Sequence, residues 1–371
     1  MRSPLLDTPG AVAAESPDDA VAAHYGEPYA EQRALASGLA LVDRSNREVV
    51  RISGPDRLDW LNNLSSQKLD TLAPGTPSQT LLLDAQGRLE HHLTLVDDGE
   101  SVWAHVEPGT SGALIAFLSK MRFMLRVEVA DLTSDYAVVT VLPPGADAAE
   151  GPGTDGPAAS QPAPGAGVTS LAPEGAIALG GDLLVPRDRL AGLPLELGLR
   201  LAGLWAYEAL RIEAHLPRAG FETDHKTIPH EVGWIGAAVH LSKGCYRGQE
   251  TVARVHNLGH PPRRLVFLHL DGSADRLPPH GAPVTLGVGS PSEADPEAAA
   301  EGSAVPGQIG FVGSAARHYE LGPIALAVVK RTVPVDITLL AGGVAATQEV
   351  IVPPDAGRNV SIDPALRRRI R

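Results

Sequence analysis

The stretch Leu241-Ser242-Lys243-Gly244-Cys245-Tyr246-Arg247-Gly248-Gln249-Glu250-Thr251-Val252-Ala253-Arg254 concentrates reactive residue types around the only cysteine of the chain. Lys243 and Arg247 stand two residues to either side of Cys245, a setting that favours thiolate over thiol. Gly244 and Gly248 permit unusual backbone angles or the close approach of a ligand. A thiolate here can ligate iron transiently, exchange with a partner's thiol or attack an electrophile, with His240 and His256 near enough in sequence to act as bases. The alternative is a small buried residue in a glycine turn. Between residues 240 and 264 five bases (Lys243, Arg247, Arg254, Arg263, Arg264) face one acid, Glu250, so the segment is a basic island. A single cysteine excludes an intrachain disulfide and a self-contained cysteine-ligated cluster, so other ligands must come from a partner.

The elements that must hold this segment follow from the apolar pattern. Residues 31–40 read as a helix and 48–52 as a strand. Pro55 to Leu64, with apolar residues at 58, 61 and 64, reads as an amphipathic helix. Residues 80–83, 89–96 and 101–106 read as a strand meander. A helix is expected over 111–121, strands over 126–129, 136–142 and 182–185, and a helix from Leu201 to about Leu216. Beyond Arg263 the pattern changes to six short strands (265–270, 284–286, 308–312, 324–330, 335–340, 348–352) with Gly/Pro turns, the signature of a small all-β barrel or sandwich. The domain boundary falls near 262–264. The fold class is α+β, with antiparallel sheets and helices before the boundary and a barrel after it.

The chain has 371 residues and a net charge of −13. Much of that charge lies outside the expected folded parts. Residues 1–30 read as a flexible tail. Two insertions, about 143–181 and 289–303, carry four acids each and no base, and read as disordered. The 354–371 tail is Arg-rich. The folded regions are therefore 31–262 and 263–353. The overall acidity argues against a nucleic-acid coat protein. No apolar run reaches the roughly 20 residues of a membrane helix, and the N-terminus lacks a secretory pattern, so no membrane partner and a cytoplasmic location are expected. Gly151 to Gly156 spells G-x-G-x-x-G, but in Pro-rich surroundings that open no helix, so it is assigned to chance.

Lys243-Gly244-Cys245-Tyr246-x-Gly248-Gln249-Glu250 resembles the K-G-C-Y-x-G-Q-E motif of the YgfZ family. Leu210-Arg211-Ile212-Glu213-Ala214 is similar to the L-R-x-E-A segment shared with the glycine-cleavage T-protein (GcvT), and Ile228-Pro229-x-Glu231 precedes the motif as it does there. The resemblance implies a GcvT-like folate-binding body, a C-terminal barrel, tetrahydrofolate or a derivative as cofactor, and no stably bound metal. It implies an accessory role in assembling or repairing iron–sulfur clusters, including those of tRNA-modifying enzymes, with iron–sulfur client or assembly proteins as partners and no direct nucleic-acid contact. Cys245 is then the functional thiol and possible iron ligand, shaped by Lys243 and Tyr246. Glu213 is the expected pterin contact, since a carboxylate accepts two parallel hydrogen bonds from an amidine-like edge. Arg254, Arg263 and Arg264 are candidates for the glutamate tail, and Asn62 and Asn63 for polar folate contacts. The alternative reading is a tetrahydrofolate-dependent aminomethyltransferase. Against it, the family's G-G-I-x-D-D stretch corresponds to Gly87-Arg88-Leu89-Glu90-His91-His92, and imidazoles cannot supply the fixed negative charge of the two acids. As neighbours on a strand, His91 and His92 also face opposite ways and make a poor metal pair.

Overall fold

A computed structural model describes residues 1–143, 172–287 and 307–359. Two five-stranded sheets form the body. In the first, the meander Pro77–Leu83, Leu89–Asp97 and Ser101–Val106 is extended by Glu48–Ser53 and Glu128–Asp131, all antiparallel. In the second the order is Ile177–Leu179, Asp182–Pro186, Tyr136–Val141, Ala40–Asp43 and Arg200–Ala202. The sheets meet through Val49, Val96 and Trp103 against Val138, Leu179 and Leu184. Alternation then decides the outer faces: Val139 and Leu183, the neighbours of Val138 and Leu184, join Leu5, Leu190 and Leu193 in a separate cluster. The helices Arg57–Leu64 and Ser111–Lys120 cover the first sheet through Trp60, Leu61, Leu114 and Leu118.

The C-terminal strands close into a six-stranded barrel, ordered Arg263–Leu270, Gly322–Lys330, Gln308–His318, Pro283–Leu286, Leu339–Ala341 and Val344–Val350. Val266, Leu268 and Leu270 point into its core. Leu265 and Phe267 point outward and pack on Ile212, Trp234, Tyr246 and Val252 of the body. The strand alternation thus builds one core inside the barrel and a second between barrel and body.

Several expectations change. Residues 1–30 are no flexible tail. Ser3, Leu5, Asp18 and Val21–Ala23 are buried, because Asp18 pairs with an interior arginine and Leu5 joins an outer-face cluster. The end of the first insertion is ordered, since Ile177–Leu179 pairs with Asp182–Pro186. The rest of the first insertion (144–171), the whole of the second (289–303) and the tail beyond 359 lie outside the described residues. The expected helix at Leu201 starts at Leu204, because Arg200–Ala202 pairs in parallel with Ala40–Asp43. In the barrel, the strand expected over 335–340 is the shorter Leu339–Ala341. The motif runs into a helix, Gln249–Leu258, that the residue pattern did not announce; Gly248 before it and Gly259 after it are its only strong marks.

Candidate functional site

The motif is a turn pinned from beneath. Lys243 is buried, and its ammonium donates to the carbonyl oxygens of Asn62, Ser65 (2.6 Å) and Gln67 (2.8 Å) at the end of the Arg57–Leu64 helix. Those are orphan carbonyls of a helix C-terminus, where a cation is favoured. Burial lowers its pKa to about 8, which still leaves it charged at neutral pH. The ammonium also lies 5.2 Å from the centre of the Tyr246 ring. Tyr246 is buried against the barrel–body core, and burial raises its pKa to about 12. Gly248 adopts φ 84° and touches the Asp84–Arg88 turn, where an added Cβ would sit 2.6 Å from the Asp84 carbonyl and 2.8 Å from the Cα of Gly87. Gly244 is different from expectation: it has no positive φ, and a Cβ there would meet nothing within 4 Å. Gln249 reaches back toward the carbonyls of Lys243 (3.3 Å) and Gly244 (3.5 Å) and closes the turn.

Cys245 stands exposed on this turn. Among the described residues no histidine nitrogen is hydrogen-bonded to it: His240 Nδ1 accepts from the Ser242 amide, and His256 lies beside Asn359. Neither flanking cation is hydrogen-bonded to the thiol: Lys243 spends its donors on the three carbonyls and Arg247 pairs with Glu90 (2.8 Å).

The basic island also dissolves on inspection. Arg254 pairs with Glu250 at i, i+4 on the helix surface (3.0 Å). Arg263 is held between Asp224 (2.6 Å) and Glu231 (2.8 Å). Arg264 is fully buried in the barrel, donating to the Val333 carbonyl and Gln348. Of the five bases, Arg247 and Arg254 remain at the surface, each paired with a glutamate. Asn62 caps locally, its Oδ1 accepting from the Leu69 amide, while Asn63 is exposed.

Sequence reasoning missed the largest polar feature, a buried ionic cluster joining the N-terminal segment, both sheets and the barrel. Arg218 clasps Asp18 with two 2.8 Å bonds and reaches Glu107 at 2.9 Å. Glu107 also accepts from Arg47, whose Nε donates to His105 Nδ1; the other nitrogen of His105 then carries the proton toward Asp182 (2.8 Å). Asp182 binds Arg44, which lies 4.2 Å over the ring of Tyr207. Arg211 binds Glu208, Glu222 and Ser314. The arginines hold Glu107 and Asp182 well below the usual carboxylate range, and burial lowers His105 to about 4. The cavity among Asp18, Arg44, Arg47, Tyr207 and Arg218 is about 10 Å³, room for a single water at most. A signal existed: Ser101–Val106 is buried along its whole length, so His105 had to find polar partners inside.

Known proteins resemble this chain throughout. Residues 11–151 match the family model of the GCVT N-terminal domain. An aminomethyltransferase of Symbiobacterium thermophilum is 26% identical over 287 residues, 71% of this chain and 75% of that protein. The tRNA-modifying protein YgfZ of Edwardsiella ictaluri is 28% identical over 273 residues, 71% of this chain and 81% of that one. The N-terminal part thus matches the GCVT domain, and the chain is similar over most of its length both to aminomethyltransferases and to YgfZ. The crystal structure of the glycine cleavage system aminomethyltransferase T from Bartonella henselae shares the fold, with TM-score 0.69 at 19% identity, covering 96% of this chain and 98% of that one.

Two GcvT-type positions can now be placed. His92 stacks on Trp234 with ring centres 4.7 Å apart and sits 3.0 Å from Gln79 Oε1. Burial lowers its pKa to about 3 and also lowers that of His91, so both rings are neutral at pH 7. Among the described residues no group of three or more potential ligands could hold a metal. Glu213 ends the Leu204–Glu213 helix with a side chain 30% exposed, 3.2 Å from His318 Nε2. His318 Nδ1 accepts from the Glu320 and Leu321 amides, which leaves the proton on Nε2, facing Glu213. Glu213 lies against His318, whereas Arg254 pairs with Glu250 and Arg263 with Asp224 and Glu231.

Proposed function

We propose that this protein is a folate-binding accessory factor of the cytoplasm that supports the assembly or repair of iron–sulfur clusters in client enzymes, tRNA-modifying ones among them. The observation that carries this reading is the exposed Cys245, presented on a turn that Lys243, Tyr246, Gly248 and Gln249 hold in place. A thiolate so placed can take one coordination site of a cluster iron while the client or an assembly protein supplies the rest. The YgfZ relative, named as tRNA-modifying, supports the same direction.

Tetrahydrofolate fits at Glu213. That carboxylate is partly exposed and matches the hydrogen-bonding edge of a pterin, with the His318 imidazole behind it. When bound, the folate supplies a one-carbon carrier. Glu213 orients the pterin by accepting from its N–H edge, and His318 holds Glu213 in place. Arg254, being at the surface, is the arginine that can exchange Glu250 for a tail carboxylate; Arg263 and Arg264 are occupied structurally. Aminomethyl transfer is the second reading, favoured by the aminomethyltransferase relatives. Neutral His91 and His92 at the positions of the two acids weigh against it.

The test is complementation. In cells lacking the protein, the wild type should restore iron–sulfur enzyme activities and Cys245→Ala should not, although it binds tetrahydrofolate normally. Full restoration by Cys245→Ala overturns the thiol role. Calorimetry should show tetrahydrofolate binding that weakens by about tenfold in Glu213→Ala, the loss of one charge-assisted contact. Formation of aminomethylated product or its reverse by the purified protein would establish the second reading instead.

A further inference from the structure

The loop Met121-Arg122-Phe123-Met124-Leu125-Arg126 exposes three successive large apolar side chains. Phe123 is 78% exposed, Met124 97% and Leu125 43%. No other three consecutive large hydrophobic residues among the described ones are so exposed. The loop is built rather than loose. Trp60 Nε1 donates to the Met121 carbonyl (3.0 Å), the Leu125 amide bonds to the Arg122 carbonyl (3.0 Å), and Arg126 grips Asp56 through its backbone amide (2.8 Å) and its guanidinium (2.6 Å). Phe123 sits at φ 47°, a left-handed conformation that is rare for a bulky aromatic and recurs at recognition and switch sites. A rigid turn that directs Phe, Met and Leu into water has the composition and preorganisation of an interface anchor.

Its place and charge identify the occupant. The loop continues the Ser111–Lys120 helix, whose Phe117 lies 6.0 Å beneath the guanidinium of Arg247, the residue two after Cys245. The Arg57–Leu64 helix, which the loop leans on through Trp60 and Asp56, is the one whose end holds Lys243. The loop and the thiol thus share one scaffold. Exposed Lys120 and Arg122 flank the apolar residues and enter no ion pair among the described residues, so the rim favours carboxylates. A lipid surface fits poorly, because the exposed apolar residues form one three-residue turn rather than the apolar face of an amphipathic helix.

The geometry points to a docking surface, centred on Phe123 and Met124 and rimmed by Lys120 and Arg122, for a client protein that presents an apolar pocket edged by carboxylates and brings its iron–sulfur site to Cys245. This inference rests on the accessory-factor reading. The experiment complements cells lacking the protein with wild type, Cys245→Ala, the double variant Phe123→Ser/Met124→Ser, and Lys120→Glu/Arg122→Glu. The apolar double variant should lower restoration of iron–sulfur enzyme activity by about tenfold, as for loss of an interface hot spot, while keeping wild-type thermal unfolding and tetrahydrofolate affinity. The charge-reversed variant should lower it less. A photo-crosslinking residue at Met124 and another at Ser242 should capture the same protein, and that purified protein should bind the full chain more weakly when Phe123 and Met124 are replaced. Full restoration by the apolar variant, with Cys245→Ala inactive, overturns the docking surface and leaves the accessory role standing. Full restoration by Cys245→Ala overturns the thiol role, and with it the bringing of a client's iron–sulfur site to Cys245. Sedimentation of the wild type with phosphatidylglycerol vesicles, or a wild-type dimer, either abolished by the apolar substitutions, assigns the loop to a membrane or a second copy and overturns the client proposal.

Discussion

Arg218 and Lys243 are both buried cations, and their surroundings separate two regions of this molecule. Arg218 is surrounded by carboxylates: Asp18 in two-point contact, Glu107, and Glu208 at 3.8 Å. Charge there is met by charge, the cavity has room for a single water at most, and segments distant in sequence are tied together. Lys243 is surrounded by neutral carbonyls at a helix end, and what it holds is a turn that faces outward with a free thiol on top. The first arrangement uses polarity to specify the fold. The second uses it to present a reactive group without spending that group's own contacts. The density of charge in a region is therefore a poor guide to where the chemistry is; the commitment of each charge is the better one.

Breaking the ionic cluster should have the largest effect. Arg218→Met leaves Asp18 and Glu107 buried without their shared partner, and the expected cost is about 3–5 kcal/mol, read as a lowered denaturant midpoint. Next comes the pin: Lys243→Met leaves three carbonyls of the helix end without their donor, for about 1–3 kcal/mol, and should also lower cluster-enzyme restoration because the turn loses its anchor. Acid titration tests the neutral imidazoles. Burial holds native His92 at about 3 and His105 and His230 at about 4, whereas unfolded histidine protonates near about 6.5. The unfolded state binds more protons in between, so stability is full above that upper value and falls as pH drops toward 4. His105→Gln should flatten part of this slope. The smallest effect on stability is expected at the thiol itself: Cys245→Ala should shift unfolding by no more than about 0.5 kcal/mol, as for other exposed positions, while removing the in-cell activity. A large destabilisation by Cys245→Ala would erase the contrast between the two regions.

Particular residues show how far the sequence could be read. The meander and the barrel strands were legible because alternation and Gly/Pro turns are local signals. The motif and Leu210–Ala214 carried the resemblance to YgfZ and GcvT directly. The parallel pairing of Arg200–Ala202 with Ala40–Asp43 was not legible, since three residues at an edge carry no period of their own. Nor was the ordering of residues 1–30, whose acidic composition looks solvated until Asp18 is seen against Arg218. At the candidate site, the contacts of several residues differ from those their spacing suggested. Gly248 does meet a neighbour's backbone, Gly244 does not, and Arg263 serves Asp224 and Glu231 rather than a free surface.

By itself the sequence determined the α+β class, the barrel after residue 262, the lone thiol in its glycine-flanked turn and the resemblance to GcvT and YgfZ, because each rests on local pattern or on a contiguous motif. Only the tertiary structure decided which cations are free. An ion pair depends on distances between residues such as Asp18 and Arg218 that lie far apart in the chain, and burial sets whether a charge is spent inside or offered to a partner. For that reason the basic island around Cys245 became a set of satisfied contacts, and the exposed Phe123 and Met124 became the feature that faces outward.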